Sequence, residues 1–405
     1  MNSKAATAVG LLAGCGMLMA ACGGSSSGAS SPASGGGPIL VGGIFTLSGA
    51  NASSGENFRD GAQAAVNRVN ANGGVLGGRQ LQLVVQDSAG TPTGATAAAR
   101  ALAQQNVVAM MGDNFSSDVT AEAVVANELK IPLLTSATAN ALFAPGSNPY
   151  VYGVGENSSF TAQVDVNYMI KVKKITKPCV IQETGVFGKS TTDATTAALS
   201  ALGVSSLTAT QQFAPGSTDV SVQLRSLQSA GCDSVFVWAP STPGIGAVAR
   251  GMAAVGWQPP SATTQSAADA ALVQSVGAQS LAKFVGGPIP KRFLVASQGD
   301  MPNAAIQQYL SDFAKVYGST DFSGHQLTAA YMYDAVQIIA QAINMTNSTN
   351  PQTIRAKLES GHSFTGIRTA YTWGPQKRIG ESVDDLGVLQ GGTPCTGPCV
   401  AAPTS

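Results

Sequence analysis

From Ile39 onward the chain alternates short runs of β-branched and aromatic residues with stretches in which apolar residues return at helical spacing. Parallel sheets covered by helices on both faces satisfy that pattern. Ile39 to Phe45 is the first predicted strand, and Phe58, Ala62, Ala65, Val66 and Val69 then mark a helix that Asn72-Gly73-Gly74 ends. A strand from Leu81 to Gln86, an alanine-rich helix from Thr93 to Gln105, a strand from Val107 to Met111, a helix from Val119 to Leu129 and a strand at Leu133-Leu134 follow. Near Tyr150 to Gly155 the cycle restarts, with helices around Phe160 to Lys171, Ser190 to Leu202 and Val220 to Ser229 and strands at Val180 to Gln182, Leu207 to Phe213 and Val235 to Trp238. Strands near Lys283 to Gly287 and Phe293 to Ala296 and a long helix from Thr328 to Ile343 complete the reading. The expectation is an α/β fold of two lobes with parallel-rich sheets, between which the chain crosses repeatedly.

The residues before Ile39 have a different character. Lys4 gives a basic start, Ala5 to Ala20 is apolar, and Met19-Ala20-Ala21-Cys22 places small residues before a thiol. That order predicts an export signal over residues 1–21 and lipidation of Cys22. Met19 stands where such boxes usually carry leucine; the alternative Leu12-Ala13-Gly14-Cys15 leaves a very short apolar region, so Cys22 is preferred. Gly23 to Pro38 lacks the apolar side chains that offset ordering entropy and is expected to act as a flexible tether. No later stretch has the roughly 20 apolar residues a spanning helix needs, so the predicted location is outside the cell membrane, in the periplasm or on the outer face, held by lipid.

Roughly 365 residues remain after Pro38, more than one hydrophobic core usually serves. Charged residues make up 11% of the chain and sum to zero. A nucleic-acid surface needs a clustered basic face, and none is visible. Cys179 and Cys232 each precede a predicted strand; an exported chain could pair them or bury both as free thiols. Cys395 and Cys399 are expected to close a small loop near the end. With His325 and His362 the only histidines, a zinc site has little support, and no metal or other cofactor is expected.

Several motifs occur in a fixed order: Leu47-Ser48-Gly49 followed by Gly55, Asn70-Ala71-Asn72-Gly73-Gly74, Asp87, Gly112 with Ser116-Ser117, Thr135-Ser136-Ala137-Thr138, Phe187-Gly188, Pro243 to Gly256 with Arg250, and Ala329-Ala330-Tyr331 with Asp334-Ala335. Over roughly residues 39–390 the chain thereby resembles type I periplasmic solute-binding proteins, in the branch typified by the leucine/isoleucine/valine-binding proteins of ABC importers. The resemblance implies two Rossmann-like lobes hinged by three crossovers, closing over a small solute. The divisions it suggests are 39–157 plus 299–372 for the N-terminal lobe, 158–298 plus 373–394 for the C-terminal lobe, and 395–405 for a tail. Helix N-termini and the loops at strand ends suit a carboxylate or carbonyl. In the family such loops hold the ligand's carboxylate, a role that falls on Ser116, Ser117, Ser136 and Thr138; each could equally serve as a helix cap.

Other positions depart from the family pattern. Ser54 replaces a common aromatic before Gly55, Phe187 keeps a ring without a hydroxyl, and Ser241 and Thr242 stand in place of an aromatic lid. Gln265 falls where amino-acid-binding relatives carry the glutamate that neutralises the ligand's ammonium, with Asp269 and Asp300 as possible substitutes. Burying an ammonium without a carboxylate costs several kcal/mol, so an uncharged or anionic solute is favoured: branched-chain amino-acid-like, an amide or a small carboxylate. The implied partners are that solute, a membrane permease and its ATPase, with the chain itself monomeric. Two other classes compete. A ligand sensor working through a partner chain would use the same cleft, whereas a secreted hydrolase would need a Gly-x-Ser-x-Gly elbow near a histidine, which neither His325 nor His362 has. No catalysis is expected.

Overall fold

Strands buried on both faces carry no polar alternation, and β1 (Ile39–Phe45) is of that kind: Ile39, Val41, Ile44 and Phe45 are all buried. The computed structural model describes residues 36–404 apart from Ala50 and Ser323; the expected signal, Cys15, Cys22 and most of the tether lie outside the described residues. After β1 come α1 (Ala52–Ala71), β2 (Leu81–Asp87), α2 (Pro92–Gln104), β3 (Met110–Gly112), α3 (Ser116–Leu129), β4 (Leu133–Thr135) and β5 (Val151–Gly153). The second run is α4 (Ser158–Lys171), β6 (Pro178–Glu183), α5 (Val186–Ala201), β7 (Ala209–Phe213), α6 (Ser221–Ser229), β8 (Ser234–Trp238), α7 (Thr242–Ala254), β9 (Ser261–Thr263), α8 (Ala270–Val276), α9 (Ala278–Leu281) and β10 (Phe284–Pro290). Then follow β11 (Leu294–Val295), α10 (Ala304–Tyr317), α11 (His325–Thr346), α12 (Pro351–Leu358), β12 (Ser363–Thr365), β13 (Ala370–Thr372), β14 (Leu386–Gln390) and β15 (Cys399–Val400).

Two sheets organise these elements. The first is parallel, in the order β2-β1-β3-β4-β5; the second runs β14-β10-β9-β8-β6-β7, parallel except where β14 pairs with β10. The α/β architecture with parallel-rich sheets in two lobes is therefore as expected. Helices α10 and α11 return to the first lobe and pack on α1. Their approach is close enough that a Cβ at Gly61 would overlap the carbonyl oxygen of Ala329, which is why α1 carries glycine there. The boundary expected at 372/373 lies too early: Trp373 stacks on Tyr371, and Ile379 bridges Gly153 of β5, so the chain stays on the first sheet until β14. Residues expected to form a separate tail are tied in, with β15 beside β11 and Ala401 bridging Leu389. Cys179 is joined to Cys232, fastening β6 to the turn before β8, and Cys395 to Cys399.

The ordered motifs turn out to position loops. Asn70 clamps the start of β2, its amide donating to Leu81 O and accepting from Leu81 N, both at 2.8 Å. Asp87 Oδ1 accepts from Leu47 N at 2.8 Å and Ala89 N at 2.7 Å, drawing the β1–α1 loop over the end of β2. Asp113 does the same one strand on: Thr46 Oγ1 donates to its carboxyl at 2.9 Å and Phe115 N at 2.9 Å.

Candidate functional site

A cleft of about 610 Å³ lies where the loops at the C-terminal ends of both sets of parallel strands face each other. The first lobe lines it with Ser54, Asn57 and Phe58 at the start of α1, Asn114 and Phe115 after β3, Ser136 and Thr138 after β4, Glu156 after β5, and Tyr331 on α11. The second lobe contributes Phe187 from the first turn of α5, Ser241, Thr242, Gly246 and Arg250 from one face of α7, and Thr264, Gln265, Ser266 and Asp269 beyond β9. The lobes also touch directly, since Asn140 N donates to Ser190 Oγ at 3.2 Å.

The structure thus brings Ser54, Ser136, Thr138, Phe187, Ser241, Thr242 and Gln265 together. Ser116 and Ser117 are not on the cleft wall. Both belong to the first turn of α3, and Ser116 Oγ accepts from Ala139 N at 3.2 Å and Thr138 N at 3.4 Å, so it shapes the neighbouring loop. Ser117 Oγ turns to Asp118 at 3.0 Å. Ser136 and Thr138 do not cap a helix. Asp269 lines the cleft while capping α8 through Leu272 N at 2.9 Å; Asp300 is exposed, accepts from Ser297 N, and lies away from the cleft.

Four buried polar atoms in this wall have no hydrogen-bond partner among the described residues: Asn114 Oδ1, Ser136 Oγ, Thr138 Oγ1 and Gln265 Oε1. Buried polar groups are nearly always paired, and here four orphans from two lobes converge on one cavity. The carboxylate of Glu156, by contrast, is fully engaged. Tyr331 donates to both its oxygens, at 2.9 and 3.0 Å, and Arg368 Nη2 donates to Oε2 at 3.1 Å. Arg368 is wholly buried, lies 3.7 Å from the centroid of the Tyr331 ring and also pairs with Glu381 at 3.0 Å. Burial pushes the carboxyl of Glu381 up to about 7 and that of Asp334 to about 6. Sequence reasoning missed Glu156 because its partner stands far along the chain; Asn114 and Phe115 were missed although they adjoin the Ser116-Ser117 motif.

Behind the first-lobe wall, Asp113, Asp118 and Glu122 are all buried, and both Glu122 oxygens lack hydrogen-bond partners among the described residues. Burial, with Asp113 and Asp118 nearby, raises the Glu122 carboxyl well above its usual range, and burial takes Asp113 to about 7. A raised carboxyl means that the folded chain holds protons the unfolded chain releases near its ordinary pKa. Stability contributed by the protonated form is therefore complete below that ordinary value and declines as pH rises toward the raised one. The melting temperature is expected to fall between about pH 4 and pH 7. Glu122→Gln should flatten that slope and raise the value at the upper pH by about 2 °C or more, by calorimetry; an unchanged slope would contradict it.

A sequence profile of the periplasmic binding protein family matches residues 38–383. The chain belongs to the periplasmic binding protein family. Within it, this binding protein is 26% identical over 340 residues to a Leu/Ile/Val-binding protein homolog 1 of Brucella abortus, covering 81% of this chain and 84% of that one. It is also similar to the branched-chain amino acid transporter substrate-binding protein LivJ of Streptococcus pneumoniae in complex with isoleucine, at TM-score 0.72 and 19% identity, covering 87% of this chain and 99% of that one. A Rhodopseudomonas palustris solute-binding protein in complex with 4-hydroxybenzoate gives TM-score 0.72 at 18% identity, covering 87% and 97%. The binding protein is thus a periplasmic binding protein whose curated relatives include Leu/Ile/Val-binding protein homologues.

Proposed function

We propose that this binding protein is the lipid-anchored, monomeric capture subunit of an ABC importer, delivering a small polar solute to a permease and its ATPase without making or breaking a bond. The observation that carries the reading is the set of unpartnered polar atoms on Asn114, Ser136, Thr138 and Gln265. A solute bearing both hydrogen-bond donors and acceptors satisfies them, and lobe closure is driven by that pairing. Glu156 is already neutralised by Arg368, and Gln265 offers an amide where an ammonium needs a charge. These features favour an amide, a small carboxylate or another uncharged or anionic relative of a branched-chain amino acid. Arg250, whose guanidinium folds back over Gly246, suits an anionic end.

Thermal-shift measurement of protein lacking the tether, against amino acids, amides, urea and short-chain and aromatic acids, tests this. A solute at about 100 times its dissociation constant adds about 2.7 kcal/mol to the folded state. At least one amide or carboxylate is expected to give a saturable rise without turnover. In the variant Ser136→Ala with Thr138→Val its affinity should drop roughly tenfold to a hundredfold, and Gln265→Glu should move preference toward ammonium-bearing compounds. A panel with no saturable response, or conversion of any compound, overturns the reading.

A further inference from the structure

Cys395 is held from both lobes at once. Its N–H donates to Ala268 O at 3.0 Å, in the second-lobe segment that carries Gln265 and Asp269. Its carbonyl accepts from Gln326 Nε2 at 3.2 Å, on α11 beside His325 at the first-lobe rim. The same amide nitrogen donates to Gly397 O at 2.7 Å, and Gln326 is completely buried. The Cys395–Cys399 disulfide closes the ring that points these two carbonyls at one side chain, with the two Cα atoms 4.7 Å apart.

Everything flanking that ring belongs to the second lobe or to the passage between lobes. Gly391 N donates to Phe284 O and Gly392 N to Ala267 O upstream; Ala402 N donates to Val388 O downstream. The ring is therefore carried by the second lobe while its tip grips the first. Gly397 lies against Leu310 of α10, and Gly324 of the first lobe meets the backbone of Asp269 nearby.

We propose that the Cys395–Cys399 loop is an interlobe clasp that biases the cleft toward its closed form, with the disulfide setting its grip. The proposal rests on the reading that the lobes swing about a solute. Opening separates Gln326 Nε2 from both carbonyls and breaks the two hydrogen bonds that join the lobes there, so the contact favours closure even without solute. A ring opened by reduction no longer presents both carbonyls together, and the bias weakens.

The test uses the full mature protein without solute, labelled by non-cysteine chemistry at exposed Leu129 on α3 and Val222 on α6, with the interlobe distance distribution read by single-molecule energy transfer. In Cys395→Ser/Cys399→Ser, and separately in Gln326→Met, the ratio of open to closed molecules should rise roughly tenfold over wild type. Circular dichroism confirms folding of each, and the two variants reach the same contact by different routes. Distributions matching wild type in whichever variants fold overturn the clasp. A wild-type distribution that stays unmoved by a solute that raises the melting temperature overturns instead the closure reading beneath it.

Discussion

Arg368→Leu is expected to destabilise the protein by about 3–5 kcal/mol, measured by denaturant unfolding of the mature chain. The guanidinium is completely buried and stands between Glu156 and Glu381, at 3.1 and 3.0 Å, with its flat face on Tyr331. Removing it leaves Glu381 wholly buried and Glu156 largely buried without their cation, and the loss reflects that stranding more than the pair's own attraction. A triple variant, Arg368→Leu with Glu156→Gln and Glu381→Gln, is expected to recover most of the deficit, because neutral amides tolerate burial far better than unpaired charges. A single variant within about 1 kcal/mol of wild type would show that the network carries little weight.

Replacing both Cys179 and Cys232 by alanine should cost about 4 kcal/mol, the loop-closure value for a ring of this length. The bond spans 53 positions and links the start of β6 to the turn entering β8, its neighbour in the second sheet. In the chain-entropy account its loss acts mainly on the unfolded ensemble. The midpoint in guanidinium should therefore fall with little change in spectroscopic signature of the folded form. Alanine variants are preferable to reductant, which would also open Cys395–Cys399. An unchanged midpoint would sink the expectation.

Periodicity carried the sequence reading where apolar residues are regular and local. Helices around α1, α4 and α11 and strands β1, β2, β7 and β8 lie within a few residues of their expected spans. Helix α7 went unread because Gly244, Gly246 and Gly251 dilute its pattern; those glycines let it sit close to Ala239, Leu272 and Leu224. Strand β14 is too far in sequence from β10 for a local pattern to announce their antiparallel pairing. The site followed the same division. Ser136, Thr138, Phe187 and Gln265 were legible from motif position, whereas Glu156 depends on Arg368 and was not. Ser116 looked like a wall residue because a hydroxyl at a strand-to-helix junction reads alike whether it faces the cleft or, as here, the adjacent loop.

Glu156 occupies the first passage between lobes and the cleft wall together. Altering electrostatic preference at that end would disturb the pivot as well, so new specificities should arise by mutation at Ser54, Ser241 or Gln265, where the walls can diversify while the mechanics are inherited unchanged.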